Sequence, residues 1–267
     1  MKVALCIFGQ PRFLDNPHPF KSHKKYILDK YDVDCYCHLW WKSGIKEFDA
    51  NPWAFKSQKC KATSIDPVAL ITSQYHPIKI IAEEPRNFKL SDDTLALTRK
   101  HFPKDFRWSE KILSNICSHL CTIENSVRLI ENSDNYDFII VSRYDNFIHD
   151  LPDLYKLNNS KFYLSDHHYR FPDLMYIFGP KYIESQYTFT NMDALAANQL
   201  INFWEPSAEC YKYFNYLDKF SKDDLCRIPL PIRVVREEKG FGDLNQLPLK
   251  YFVKAKIKLL FEYIQGK

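Results

Sequence analysis

Glycine is scarce in this chain, and its scarcity limits how the chain can bind phosphate. Only 6 of the 267 residues are glycine, and neither a G-x-x-x-x-G-K-[ST] nor a G-x-G-x-x-G segment occurs. Those two patterns place backbone N–H groups around nucleotide phosphates. Glycine-rich phosphate loops of these two kinds are therefore excluded.

Long apolar runs and cysteine pairs with C-x-x-C spacing are also missing. No apolar stretch reaches the roughly 20 residues of a membrane-spanning helix, and the strand-like start, Lys2 to Phe8, is too short for a signal peptide. The eight cysteines include no C-x-x-C pair, so zinc-ribbon and thioredoxin motifs are excluded. A reducing cytoplasm is the simplest predicted location.

Strong charge is absent as well. The formal net charge of +4 is compatible with an anionic substrate or an anionic membrane surface, and no nucleic-acid-binding signature occurs. Aromatic residues make up 16% of the chain, a high share that fits either a bulky core or faces that stack on sugars. The length allows a sizeable core, in one large domain or two small ones.

The most informative stretch runs from Tyr136 to Asn146. Its apolar segment Phe138 to Val141 predicts a buried strand, which ends abruptly in Ser142-Arg143-Tyr144-Asp145. In open α/β sheets ligands bind at this carboxyl edge. Arginine suits a phosphate, and aspartate suits a divalent cation or a sugar hydroxyl. The hypothesis that follows is a site for a nucleotide-activated sugar.

The first strand repeats this arrangement. Val3 to Phe8 is apolar and is closed by Gly9-Gln10-Pro11-Arg12. Gly9 allows a sharp turn or a close approach to a ligand, and Arg12 then stands at the same edge of the sheet. The alternative is a loop with a solvated arginine.

The rest of the chain alternates between strand and helix patterns, which predicts an α/β fold with a mainly parallel central sheet flanked by helices. Residues 228–235, interrupted by two prolines, predict only an edge strand or an extended segment. Residues 42–66, 84–108 and 236–248 read as loops. Further strands are predicted at 33–40, 78–83, 161–164 and 172–179, and helices at 20–31, 66–74, 109–132, 181–197 and 207–220.

The helix over 109–132 has the clearest apolar repeat, and Ser109 can cap it. Cys117, His119 and Cys121 lie within it, and their spacing favours core packing over a shared metal. The tail from Tyr251 to Ile264 mixes lysines with large apolar residues. It predicts either a basic amphipathic helix on a membrane surface or a terminal helix docked on the core.

Four of these segments together resemble GT-A-like glycosyltransferases of bacterial and viral polysaccharide gene clusters. They are the opening Lys2 to Arg12, the segment Asp34…His38-Leu39-Trp40, the segment Tyr136 to Asp145, and Asp173-Leu174-Met175-Tyr176-Ile177-Phe178-Gly179, in the same order. The resemblance covers roughly the first two-thirds of the chain and is fairly specific only as a combination.

The resemblance implies a single Rossmann-like GT-A domain over residues 1–267. Residues 1–150 then form the nucleotide-sugar-binding half, 151–248 the acceptor-binding half, and 249–267 the C-terminal helix. It also implies a DxD-like element that holds Mn²⁺ or Mg²⁺ on the donor diphosphate. Here Arg143 stands at the first position, so only Asp145 remains as a metal ligand. Alternatively, Arg143 and Arg12 neutralise the diphosphate without a tightly held metal.

Roles in sugar transfer follow for particular residues. Gly9, Gln10, Arg12, Asp34, His38, Arg143 and Asp145 are expected to bind the donor. Asp173 is the first choice for the base in an inverting reaction, with Asp166, His167 and His168 as second choices. Trp40, Trp41 and Trp53 are candidates for stacking on the sugar or the base. Asp145→Asn is expected to abolish transfer and to leave the fold intact.

The same residues also have structural interpretations. Arg143 and Asp145 can form an ion pair that merely closes the strand, His38 can be a structural histidine, and Asp173 can cap a turn. The expected partners are a nucleotide sugar and a saccharide or lipid-linked saccharide acceptor. The alternatives are a phosphotransferase or nucleotidyltransferase that uses the same edge, and a carbohydrate- or nucleotide-binding module without turnover.

Overall fold

The computed structural model describes most of the chain in seven ranges: 1–49, 59–61, 66–89, 91–92, 110–166, 171–197 and 207–235. The strands in chain order are β1 (Lys2–Gly9), β2 (Asp32–Trp40), β3 (Glu47–Asp49), β4 (Lys59–Lys61), β5 (Lys79–Glu83), β6 (Phe138–Arg143), β7 (Asn146–Ile148), β8 (Phe162–Ser165), β9 (Met175–Phe178), β10 (Leu225–Ile228) and β11 (Ile232–Val234).

A seven-stranded sheet organises these elements, in the order β10-β8-β9-β6-β1-β2-β5. β1 pairs in parallel with both β2 and β6. β9 runs antiparallel to its two neighbours, β6 and β8. Two short antiparallel ribbons, β3–β4 and β7–β11, lie beside the main sheet. The predicted class, α/β with a mainly parallel central sheet flanked by helices, is confirmed.

The central strands are buried on both faces, as their unbroken apolar runs predict. Successive side chains of β1 point to opposite faces. Val3 and Ile7 therefore pack into one apolar cluster, and Ala4 and Phe8 pack into another. A third apolar cluster lies between the helices that cover the face of the sheet to which Ala4 and Phe8 point.

The helices begin at side chains that satisfy their free N–H groups. The Asn16 side chain accepts from the N–H of His18, and that of Asp66 accepts from the N–H of Val68. A proline follows each cap at the first helical position, where its fixed φ suits the helix. The α-helices are α1 (Pro17–His23), α2 (Pro67–Tyr75), α3 (Glu110–Arg128), α4 (Met192–Ala197) and α5 (Ala208–Lys219). A π-helical turn over Lys24–Leu28 extends α1, and 3₁₀ segments occur at Ser133–Asn135, Leu154–Lys156, Pro180–Gln186 and Lys222–Asp224.

One predicted helix is wrong. The segment 181–197 forms a 3₁₀ segment and then the separate short helix α4. Thr188 donates from its hydroxyl to the Ser185 carbonyl, and Thr190 donates from its N–H and its hydroxyl to the Glu124 carboxylate. Such side-chain hydrogen bonds compete with helix formation, and here they hold the break between the two pieces.

The extended segment over 228–235 contributes to two strands. β10 is the edge strand of the main sheet, and β11 pairs with β7. The residues 236–267, with the predicted tail helix, lie outside the described part of the chain, as does the predicted cap Ser109. Among the described helices, none has the length and the apolar content to cross a bilayer.

His23 ties three elements together at the end of α1. Its Nδ1 lies 2.8 Å from the hydroxyl of Tyr75 in α2, and its Nε2 lies 3.3 Å from the hydroxyl of Ser142 in β6. The imidazole is fully buried. Burial lowers its pKa from 6.5 to about 4, against an opposing effect of the Asp145 charge. His23 is therefore neutral in the folded protein at neutral pH.

This buried histidine predicts a loss of stability in mild acid. Between pH 6.5 and 4 the unfolded chain binds a proton at His23 and the folded chain does not. The free energy of unfolding therefore falls as the pH drops. The slope from one such group is at most about 1.4 kcal/mol per pH unit. Urea unfolding at several pH values should show a shallower slope for His23→Gln than for the wild type.

The matched control is His76→Asn. His76 is exposed and has a left-handed φ of 44°, which asparagine also tolerates. Its pH slope should equal that of the wild type. Equal slopes for His23→Gln and the wild type would contradict the assignment of acid sensitivity to His23.

Candidate functional site

A cleft opens at the carboxyl edge of the sheet, where β1, β2 and β6 end and where α3 runs alongside. The empty space in it, including solvent at its mouth, is about 520 Å³. The strand ends and the loop after β1 contribute Phe8, Gly9, Gln10, Arg12, Trp40, Arg143 and Asp145. Of the predicted donor-binding residues, five are therefore brought together here.

Arg143 and Asp145 form a two-pronged ion pair on one wall of the cleft. Nε and Nη2 of Arg143 donate to the two carboxylate oxygens of Asp145, each over 2.7 Å. The two side chains are 9% and 4% exposed. Burial disfavours the Arg143 cation, but the charge and hydrogen bonds of Asp145 outweigh it and raise the pKa of Arg143. The ion pair that the sequence allows between these two residues is thus present.

Arg12 approaches the same carboxylate from the loop after β1. Its Nη2 lies 3.6 Å from Oδ2 of Asp145, and its Nη1 donates to the Asp49 carbonyl over 2.8 Å. The Arg12 side chain is 9% exposed. Strand register explains the meeting, because Phe8 of β1 lies opposite Arg143 of β6. Two guanidinium groups therefore lie within 3.6 Å of the Asp145 carboxylate.

The turn that carries Arg12 depends on Gly9. Its φ of +120° is a conformation that residues with a Cβ rarely adopt. Gly9 and Gln10 both line the cleft, so the turn brings the backbone itself to the wall of the site.

Helix α3 supplies the opposite wall, and sequence reasoning missed it. Asn115, Ser118, His119 and Thr122 face the cleft. Their spacing of three and four residues places them on one stripe of the helix, beside the apolar stripe that packs on the sheet. All four are polar without a formal charge at neutral pH, whereas a solvated stripe is typically rich in lysine and glutamate. That composition is the signal in the sequence that could have indicated a binding wall.

His119 corrects the prediction of simple core packing for this helix. Cys117 and Cys121 are indeed buried thiols, but His119 lines the cleft. Its Nε2 lies 3.3 Å from Oδ2 of Asp173, a residue that precedes β9. Asp173 itself is not among the described residues that line the cleft, so its contact with the site described here is the one with His119.

Asp34 corrects another prediction. It lies near the beginning of β2, opposite Ala4, whereas the cleft lies beyond Gly9 and Leu39. Five residues of strand separate these positions, about 16 Å. Asp34 instead accepts from the Tyr136 hydroxyl over 2.8 Å and pairs with Lys2 at 3.0 Å. This placement removes Asp34 from the predicted donor site.

His38 also differs from its predicted role. It is fully buried behind the cleft, with Nδ1 2.7 Å from the Thr122 hydroxyl and Nε2 3.2 Å from the Asn125 amide. Glu83 lies 3.5 Å from Nε2. His38 thus joins β2 to α3 and supports Thr122 from behind, which is the structural interpretation left open by the sequence.

The three tryptophans predicted to stack differ in position. Trp40 lines the cleft but is only 1% exposed, and its Nε1 donates to the Ser118 carbonyl. Trp41 packs against Phe48, and Trp53 lies outside the described residues, as do His167 and His168. Asp166 is exposed at the end of β8. Of the two tryptophans that the structure describes here, Trp40 is the one that lines the cleft, and it is almost wholly buried.

The donor set around Asp145 does not fit a divalent metal. Mn²⁺ and Mg²⁺ prefer several oxygen ligands, but both oxygens of Asp145 already accept from Arg143, and a second arginine lies beside them. Within the described ranges, no group of three or more His, Cys, Asp and Glu side chains is placed to hold an ion. The metal at Asp145 stays a prediction from the sequence.

Comparisons with known proteins give only distant structural likenesses. No protein-family model and no curated protein sequence matches the chain. Similarity is found to the glycosyltransferase GlyE of Streptococcus pneumoniae TIGR4, at 10% identity and a TM-score of 0.39, over 85% of this chain and 44% of that one. The galactosyltransferase LgtC, in complex with donor and acceptor sugar analogues, gives 12% identity and a TM-score of 0.41, over 85% and 73%. The chain thus spans less than half the length of GlyE, and identities this low say nothing about substrate.

Proposed function

We propose that the chain is a glycosyltransferase that moves a sugar from a nucleotide-sugar donor to the hydroxyl of a saccharide acceptor. The observation that carries this proposal is the convergence of Arg12 and Arg143 on the wall of the cleft. Two buried guanidinium groups thus lie together at one wall of the cleft. An anion with more than one negative charge, such as a diphosphate, complements such a pair of cations.

Arginine is well suited to that anion. A guanidinium presents five N–H donors in a planar fork, and pairs of these donors match phosphate oxygens. Arg143 uses one Nε and one Nη2 donor on Asp145, which leaves three outside this pair. Asp145 thus holds the fork in place, and the remaining donors are preorganised to stabilise a leaving diphosphate.

The opposite wall supports a sugar as the transferred group. Asn115, Ser118 and Thr122 line the cleft, and amide and hydroxyl groups of these residue types donate to and accept from sugar hydroxyls. Gln10 adds an amide near Arg12. A polar but uncharged wall opposite two cations is the arrangement that a sugar linked to a diphosphate needs.

Transfer itself requires that the leaving diphosphate is stabilised, that the acceptor hydroxyl loses a proton and that water is kept away. Arg12 and Arg143 serve the first requirement. We propose direct displacement with inversion, in which the acceptor oxygen attacks the anomeric carbon as its bond to the diphosphate breaks. The acceptor class is that of surface polysaccharide or glycan synthesis, with a free or lipid-linked saccharide. All eight cysteines are free thiols, which suits a reducing compartment such as the cytoplasm.

A binding experiment tests the diphosphate site. Isothermal titration of the wild type with UDP, GDP, CDP and pyrophosphate should reveal one nucleotide that binds without added metal. Arg12→Gln should weaken that binding by about 10- to 100-fold, because a hydrogen bond to a charged group contributes about 1.5–3 kcal/mol. Repeating the titration with Mn²⁺ measures any dependence on metal.

Arg128→Gln is the matched control. Arg128 is also paired with a carboxylate, Glu124, but is 47% exposed on another side of α3, so its loss should leave binding unchanged. If no nucleoside diphosphate binds, or if Arg12→Gln binds as well as the wild type, the proposal is wrong. Release of inorganic phosphate from the nucleotide would instead identify a phosphotransferase, and binding of sugar nucleotides without turnover a binding module.

A further inference from the structure

His119 and Asp173 come together from distant parts of the chain. His119 lies in the middle of α3, and Asp173 precedes β9, the reversed strand of the sheet. Nε2 of His119 and Oδ2 of Asp173 are 3.3 Å apart, and the side chains are 11% and 16% exposed. Nε2 has no hydrogen-bond partner among the described residues. Distances of this kind commonly shorten to aligned hydrogen bonds when a substrate binds.

The position of His119 separates it from a purely structural histidine. Its side chain lines the cleft that Arg12, Arg143 and Asp145 also line. The ring packs edge-on against Phe8, with centroids 5.4 Å apart and planes at 73°. Asp173 behind it and Phe8 beside it restrict the ring to one orientation. A ring held in this way, at the wall of a cleft, can act on a bound ligand.

We propose that His119 accepts the proton of the acceptor hydroxyl and that Asp173 positions and stabilises His119 for this step. The inference rests on the proposed glycosyl transfer and adds the base that this reaction needs. Asp173, the base predicted from the sequence, becomes a positioning residue, because His119 stands between it and the cleft.

Each bond that forms in this step is matched by a bond that breaks. The acceptor O–H bond breaks, and its proton moves to the imidazole nitrogen of His119 that does not face Asp173. The acceptor oxygen forms a bond to the anomeric carbon, and the bond from that carbon to the diphosphate oxygen breaks. The electron pair leaves with the nucleoside diphosphate, whose added charge meets Arg12 and Arg143. The imidazolium that forms is stabilised by the Asp173 carboxylate and then loses its proton to solvent.

The charges around the dyad favour a neutral ring in the resting protein. Burial lowers the pKa of His119 to about 4, Asp173 and Asp145 oppose that effect, and Arg143 and Lys212 strengthen it. Lys212 of α5 is itself buried, with its Nζ donating to Gln186. A neutral imidazole has a free lone pair at neutral pH, which a proton acceptor requires.

Two variants test the dyad on the full chain. The donor is the sugar nucleotide whose nucleoside diphosphate binds the wild type, and the readout is release of that diphosphate with saccharide or water as acceptor. His119→Gln should lower kcat by about 10²- to 10⁴-fold, the usual contribution of general base catalysis. Its dissociation constant for the nucleoside diphosphate should stay within threefold of wild type. In His119→Ala, added imidazole should restore part of the rate.

Asp173→Asn should lower kcat with little change in KM. Because the Asp173 charge raises the pKa of His119, its removal should move the acidic limb of the rate profile to lower pH. The groups around the dyad that must stay constant are Arg143 from β6, Asp145 from the turn after it, Lys212 from α5, and Glu209 of α5, whose pKa is raised to about 7 by burial and by the Asp173 charge. Asp173→Glu should recover part of the rate, and Arg128→Gln, on the same helix as His119 but outside the cleft, should keep the full rate.

The outcomes separate this inference from the proposed function. If the wild type binds no nucleoside diphosphate and transfers no sugar, both are wrong. If the wild type does both, and either folded His119→Gln retains kcat within threefold or folded Asp173→Asn shows an unshifted pH profile, the dyad alone is overturned. Should His119→Gln fail to fold, as its thermal melt will show, the pH profile of Asp173→Asn decides.

Discussion

Asp145→Asn is expected to lower the free energy of unfolding by about 3–5 kcal/mol, the usual cost of leaving a buried charge without its partner. Both carboxylate oxygens of Asp145 accept from Arg143, and Arg12 lies 3.6 Å away. An asparagine of the same size keeps one acceptor but turns an N–H₂ group toward the guanidinium groups. The sequence alone predicts that transfer is lost and the fold stays intact; the pairing adds a cost to the fold.

Urea unfolding of the variant and the wild type at pH 7 measures this effect. Asp29→Asn is the control, since Asp29 pairs with Lys24 at the surface and both are 53% exposed. Exposed pairs contribute about 0–1 kcal/mol, so this variant should unfold close to the wild type. Pyrophosphate at millimolar concentration should restore part of the stability of Asp145→Asn. Equal unfolding free energies for the two variants would mean that the buried pair contributes nothing.

Gly179→Ala is expected to destabilise the protein by about 3 kcal/mol or more, at or above the upper end of typical overpacking costs. Gly179 links β9 to the following 3₁₀ segment. A Cβ built there would lie 1.9 Å from the carbonyl oxygen of Asn159, which is a backbone atom and cannot turn away as a side chain can. The entropy that alanine removes from the unfolded chain, about 0.4–1 kcal/mol, offsets only a fraction of that cost.

Gly44→Ala separates this steric effect from backbone strain. Gly44 has a φ of +94° and open space around the position of a Cβ, so alanine there costs only strain, on the order of 1–3 kcal/mol. Gly179 presents the opposite case, with an ordinary φ of −78°. In thermal unfolding of both variants, the melting temperature of Gly179→Ala should lie below that of the wild type, although the backbone at Gly179 is not strained. An unchanged melting temperature for Gly179→Ala would rule out the tight contact.

The sequence predicts the strands better than the site because the two depend on different information. An unbroken run such as Phe138 to Val141 can be satisfied only by burial on both faces, so local composition is enough. The same reasoning predicts that Arg12, Arg143 and Asp145 lie at the carboxyl edge of the sheet, because each comes within four residues of the end of such a run. The position of Asp34 cannot be predicted in this way, because its distance from the cleft depends on where β2 begins relative to β1.

The α3 wall and the His119–Asp173 contact depend on packing between distant segments. The repeat of Ile116, Leu120, Ile123 and Val127 fixes which stripe of α3 faces the sheet, and the uncharged polar composition of the neighbouring stripe is the local sign that it lines a binding site. Asp173 reaches His119 only because β9 runs antiparallel to β6, which places the start of β9 near the end of β6. The antiparallel strand β9 thus brings Asp173 to the carboxyl edge of the main sheet. The direction of β9 cannot be predicted from its own four residues.

The carboxylate held between two arginines has a consequence for turnover. Asp145 lies two residues from Arg143, so it is an internal anion at a very high effective concentration. In the proposed transfer, a bound diphosphate shares the two cations with Asp145 and loses part of the attraction that bare arginines would provide. When the nucleoside diphosphate departs, Asp145 still lies against both arginines, so dissociation does not leave the buried guanidinium groups without their carboxylate. Because release of product limits the rate of many enzymes, we expect Asp145 to favour rapid exchange over tight retention of the spent donor.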